Sequence, residues 1–160
     1  MEIRNKRAEL LAPAGSFECL KTALYFGADA VYVAGKTFGL RAFASNFSDN
    51  ELKEATSYTH KRGCKIYVTV NALVHNSQFD DLQEYLKTLS SIGVDGIIVS
   101  DPGVIQLLKE EGIDLSVHLS TQSSTFNYKS AAFWHSLGVK RIVLSRELTL
   151  DEIKGIIDNK

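Results

Sequence analysis

The stretch Gly93-Val94-Asp95-Gly96-Ile97-Ile98-Val99 holds the pattern that decides the fold. A glycine follows a helix-like segment and leads straight into a short β-branched run. Glycine ends a helix at little cost, because it adopts the left-handed conformation without a Cβ penalty. The apolar run after it reads as a strand buried on both faces. The same joint recurs at GADAVYV (27–33), GCKIYV (63–68), GIDLSV (112–117) and GVKRIVL (138–144). With a further strand at Glu9-Leu10-Leu11, these joints predict six serial strand–helix units and a parallel sheet. Folds of this kind carry their chemistry at the carboxyl ends of the strands.

The segments between the joints read as helices. Ser16 is placed to cap the first, which shows Phe17, Leu20 and Leu24 on one face. Ser48 with Glu51, and Thr149 with Glu152, are spaced as capping boxes for the second and sixth. Phe79, Leu82, Leu86 and Leu89 form one apolar stripe in the third, and Pro102 opens the fourth. The fifth includes Ala131, Trp134 and Leu137. No linker or low-complexity composition interrupts the series.

Two architectures accommodate such units, an open doubly wound sheet and a (β/α) barrel. The first turn, APAGS (12–16), holds a single glycine and so makes a weak dinucleotide-binding turn. Strand alternation favours the barrel. Ile66, Val68 and Val70 face one way and Tyr67, Thr69 and Asn71 the other. Leu115, Val117 and Leu119 likewise oppose Ser116, His118 and Ser120. An apolar outside under helices with a partly polar inside is what a barrel requires. A whole barrel takes about 250 residues. The expectation is therefore an α/β fold: a parallel TIM-type barrel truncated to about six strand–helix units, residues 1–160 forming one N-terminal partial barrel domain of a longer protein. Its strands should run in order one to six, with unpaired edges and an open apolar interior that favour self-association.

Composition narrows the function classes. The chain has 160 residues, 44% hydrophobic and 23% charged, with a formal net charge of −1, which predicts no nonspecific grip on nucleic acid or anionic membrane. The apolar run near residues 10–14 is too short for a signal-peptide core, and no run approaches membrane-spanning length. Cys19 and Cys64 make no metal-ligand pair by spacing and read as reduced cytosolic core thiols. No metal site is expected.

Polar residues gather at the predicted strand ends: Asn71, Ser100-Asp101, HLSTQ (118–122) and Ser145-Arg146-Glu147. Each alone fits a loop start or a helix cap; four strand ends together point to a site. His118 is the candidate general acid or base, since its ordinary pKa lies near neutrality, although an inward histidine is more often structural. Asp101 also suits the cap of the helix that Pro102 opens. Arg146 fits either an ion pair with Glu147 or, with Arg41, the grip on a carboxylate or phosphate. Asn46, Asn71, Ser120, Gln122 and Asn127 complete a candidate pocket for a small anion. The serines near His118 lack a nucleophile elbow.

The stretches ELLAPAG (9–15), GADAVY (27–32), FGLR (38–41) with Asn46-Phe47, YVTVN (67–71), SDPG (100–103), HLSTQ (118–122) with Asn127, Phe133-Trp134 and VLSREL (143–148) resemble the N-terminal part of the collagenase-like peptidases of unknown catalytic type, peptidase family U32. HLSTQ and LSREL are most similar to the branch associated with tRNA uridine hydroxylation. The resemblance implies a cytoplasmic bacterial protein that acts on tRNA, with prephenate as oxygen donor. It also implies an iron–sulfur cluster on downstream cysteines in several full-length relatives, which Cys19 and Cys64 do not match, so no cofactor is expected within these residues. Two alternatives accompany it: the family's nominal peptidase activity, and a barrel fragment inactive by itself.

Overall fold

The computed structural model describes residues 8–40 and 46–159. Its elements alternate throughout: β1 (Leu11–Pro13), α1 (Phe17–Tyr25), β2 (Ala30–Ala34), α2 (Asp49–His60), β3 (Lys65–Val70), α3 (Phe79–Ile92), β4 (Gly96–Val99), α4 (Pro102–Glu110), β5 (Val117–Leu119), α5 (Tyr128–Ser136), β6 (Arg141–Ile142) and α6 (Leu150–Asp158). Every neighbouring strand pair is parallel, and the order is β1-β2-β3-β4-β5-β6. All five joint glycines sit at positive φ, between 62° and 93°, which is the reason the pattern needs glycine there. Both predicted capping boxes form, Ser48 with Glu51 and Thr149 with Glu152.

The two faces of the sheet pack differently. Val31, Val33, Ile66, Val68, Ile97, Val99, Val117 and Leu119 point outward into one core with Leu20, Leu52, Leu82, Leu86, Leu89 and Val104 of the helices. The inner face holds a small apolar group, Ala30, Tyr67 and Ile98, with Leu11 and Tyr32 beside it. The alternation read in the third and fifth strands is this division.

The sheet is curled. Strands sit about 4.8 Å apart, so five spacings of a flat sheet would separate β1 from β6 by about 24 Å. Instead Arg141 Nη1, in β6, lies 2.5 Å from Oε1 of Glu9, just ahead of β1. The rings of Tyr67 in β3 and His118 in β5, two strands apart, have centroids 4.5 Å from each other. The six strands make a curled arc, a half-barrel of TIM type, whose first and last strands are linked at the amino end by the Glu9 and Arg141 side chains while their backbone edges stay unpaired with each other. The expected apolar interior is thus only part of what is found, because charged groups fill its amino end.

Candidate functional site

The strand ends divide the polar residues into two groups. At the carboxyl rim, Asp101 caps α4, accepting from Gly103 N at 2.8 Å through Oδ1 and from Val74 N at 3.1 Å through Oδ2. Asn71 Oδ1 accepts from Leu40 N at 3.3 Å, and Ser100 Oγ donates to Gln122 Oε1 at 3.2 Å. Ser120 Oγ accepts from Gln122 N as the cap of a short 3₁₀ turn, and Asn127 caps α5 by accepting from Ser130 N at 2.9 Å. Asn46 is half-buried and engaged within the protein. Arg146 and Glu147 are exposed, and among the described residues no ion pair joins them. Arg41 lies outside the described residues.

Asn71, Ser100, Asp101, Ser120, Gln122 and Asn127 hold one another and the loops in place. With both carbonyls engaged, Asn71 and Gln122 keep amide N–H donors for a ligand. Arg146 adds an exposed guanidinium. Such donors can receive the oxygens of an anion.

His118 stands apart from this rim. It lies inside β5, hydrogen-bonded in register between Ile98 and Arg141, and is 5% exposed. With Lys65, Tyr67, Asp95, Ser116, Lys140 and Arg141 it lines a cavity of about 250 Å³ at the amino ends of the strands. Burial first, then the charge of Arg141, pushes its pKa down to about 4; Glu9 opposes this and Lys65 adds to it. His118 is therefore neutral near pH 7. Among the described residues no serine, threonine or cysteine is hydrogen-bonded to its ring, so no nucleophile–base pair forms there.

Glu9 and Arg141 are the polar residues that sequence reading passed over. Arg141 Nη1 and Tyr67 Oη both donate to the Glu9 carboxylate, the latter at 3.2 Å and 3.3 Å, and Lys65 Nζ lies 3.8 Å away. Burial alone would raise the Glu9 pKa. The hydrogen bond and charge of Arg141, the charge of Lys65 and the Tyr67 hydroxyl outweigh it and hold the carboxyl below its usual range. The available signal was an arginine at an inward position of an otherwise apolar strand. His60 Nε2, from α2, pairs with Asp95 Oδ2 at 2.8 Å.

The model of peptidase family U32 matches residues 15–160. The chain belongs to this family. It is 46% identical over 149 residues to tRNA hydroxylation protein P1 of Bacillus subtilis, covering 93% of this chain and 35% of that protein. It is 44% identical over 151 residues to an uncharacterized protease of Methanocaldococcus jannaschii, covering 94% of this chain and 36% of the other. The chain thus spans about a third of the length of these relatives. A solved U32 peptidase superposes with a TM-score of 0.77 at 19% identity, over 100% of this chain and 68% of that one, which shows the shared fold. The U32 arc seen here has two cysteines, and neither is the core thiol expected: Cys19 is exposed on α1 and Cys64 is half-buried ahead of β3. An iron–sulfur cluster is held by about four protein ligands, typically cysteine thiolates, so these two thiols do not fit one.

Proposed function

We propose that this U32 arc is the barrel part of a protein that hydroxylates tRNA uridine. The observation that carries the reading is the 46% identity to tRNA hydroxylation protein P1 across 93% of the chain. In this reading the carboxyl rim binds prephenate, the oxygen donor. Arg41 and Arg146 meet its carboxylates, and Asn46, Asn71, Asp101, Ser120, Gln122, Asn127 and Glu147 shape the pocket. Partly engaged amides and an exposed arginine are what a site for a dicarboxylate needs. His118, neutral and recessed, serves the inner barrel. The net charge of −1 leaves RNA contact to a local patch or to parts of the protein beyond this chain.

The test is mass spectrometry of tRNA from cells lacking the full-length gene. The hydroxylated uridine should disappear, return with the intact gene, and return only weakly with Arg146→Ala or Gln122→Ala. Unchanged tRNA in the deletion strain would overturn the reading. The family's name and the archaeal relative's name motivate peptide hydrolysis as the second reading. Casein cleavage by the full-length protein, abolished by His118→Ala, would favour it.

Setting and assembly complete the proposal. Among the described residues no helix is long and apolar enough to cross a membrane, which suits a cytoplasmic protein acting on tRNA. The arc also self-associates in this reading, through the backbones of β1 and β6 and exposed apolar side chains such as Leu150 and Phe133. Light scattering over a dilution series tests it, a monomer at every concentration being the contrary result.

A further inference from the structure

We infer that the amino-terminal mouth of the arc binds a small oxyanion of the phosphate or carboxylate class, held by Lys65, Lys140 and Arg141 with His118 donating a hydrogen bond from its ring. This goes beyond the proposed function, which uses the opposite rim.

Five observations carry it. The cavity of about 250 Å³ falls just under the roughly 300 Å³ at which sites for drug-sized ligands begin, so its occupant is small. Three cations contributed by β3, β6 and the residue before β6 line it; Lys65 and Arg141 share the Glu9 carboxylate, Arg141 through Nη1 alone, and Lys140 adds a positive charge not paired in this way. The carboxylates nearby are already committed. Asp95 Oδ2 accepts from Ile66 N and pairs with His60, each at 2.8 Å, and Glu9 is held by Arg141, Tyr67 and Lys65. Lys140 is exposed at the cavity edge and, among the described residues, has no carboxylate within 4 Å.

The fifth observation is His118 itself. It is more than nine-tenths buried, lines the cavity, and has no hydrogen-bond partner among the described residues. Among the described residues the fully buried side-chain atoms without a partner are Thr59 Oγ1, Tyr85 Oη and Thr125 Oγ1, so the His118 ring nitrogens reach the cavity, where a ligand can meet them. A neutral imidazole offers one N–H, which an oxyanion accepts. Ser116, on the same face of the chain two residues earlier, adds a hydroxyl.

The experiment is an NMR titration of the isotope-labelled chain at pH 7, with sodium chloride holding ionic strength constant. Inorganic phosphate is the probe in one arm and succinate in the other. The expected result is saturable shifts, at millimolar concentrations in at least one arm, at the amides of Lys65, Ser116 and Lys140 and at the ring protons of His118. The arm that saturates at lower concentration identifies the oxyanion. Lys140→Gln removes one cation at roughly 4 Å in a solvated setting, worth about 1 kcal/mol or about fivefold in affinity. Because Lys140 is exposed, that variant should keep its native amide spectrum. Three results would overturn the inference: no saturable shift with either probe, shifts confined to Asn71, Gln122 and Asn127, or affinity unchanged by Lys140→Gln.

Discussion

Replacing His118 by phenylalanine should remove a specific part of the acid sensitivity of folding. The unfolded chain takes up a proton on this histidine near pH 6.5, but the folded chain does so only near pH 4. Between these values the unfolded state holds more protons, so stability falls as pH falls. The fully developed penalty for two and a half pKa units is about 3 kcal/mol, and about 2 kcal/mol of it appears between pH 7 and pH 5. The carboxylates whose pKa values are lowered, Glu9, Glu51 and Glu152, add their own losses on acidification. Those losses are common to both proteins and cancel in the comparison. Phenylalanine keeps a ring against Tyr67, 4.5 Å away in the parent, and cannot titrate. The assay is urea unfolding followed by circular dichroism at pH 7 and pH 5, taking the slope with denaturant as the check on two-state behaviour. The parent should lose about 2 kcal/mol more than His118→Phe over that interval. Equal losses, or an NMR titration midpoint for His118 near 6.5, would refute the burial argument.

Other expected outcomes follow from particular contacts. Gly96→Ala would place a Cβ 2.7 Å from the backbone oxygen of Ser116 and so push β4 off β5. A loss of at least about 2 kcal/mol in chemical denaturation is expected, in the range of core overpacking. Ser48→Ala removes one half of the α2 capping box and should cost about 1 kcal/mol by the same assay. Arg141→Met unpairs Glu9 and should cost about 1–2 kcal/mol, less at high salt because both side chains keep some solvent contact. The same variant should raise the His118 midpoint, since Arg141 is the largest charge opposing its protonation, as a proton NMR titration would register.

The fold was legible because its signals are local. Each glycine joint marks one helix end and one strand start, and each capping box sits within four residues. Alternation at Tyr67 and at His118 correctly told inside from outside. It could not tell height. A period of two assigns a side chain to a face of the sheet, whereas its level in the barrel depends on how successive strands are staggered. That is why His118 reads from sequence as a neighbour of Gln122 at the carboxyl rim and lies instead against Tyr67 and Arg141. Asp101 and Asn127 turn out to cap helices, and sequence alone could not separate that role from ligand binding, because an acceptor side chain at a strand end can serve either. Glu9 and Arg141 are 132 positions apart, a separation at which no local pattern signals a contact.

The bridge between Glu9 and Arg141 also has a kinetic meaning. Each strand of the arc pairs only with its successors and predecessors in the chain, so most of the structure can assemble as a run of near neighbours. The bridge is different, because it exists only once all six strands have stacked with the right twist. Its loop is nearly the whole chain, and the entropy of closing it must be met before the contact returns anything. It is therefore a late event in folding and an early one in unfolding. Removing it should speed the opening of the arc while leaving the rate of assembly almost unchanged.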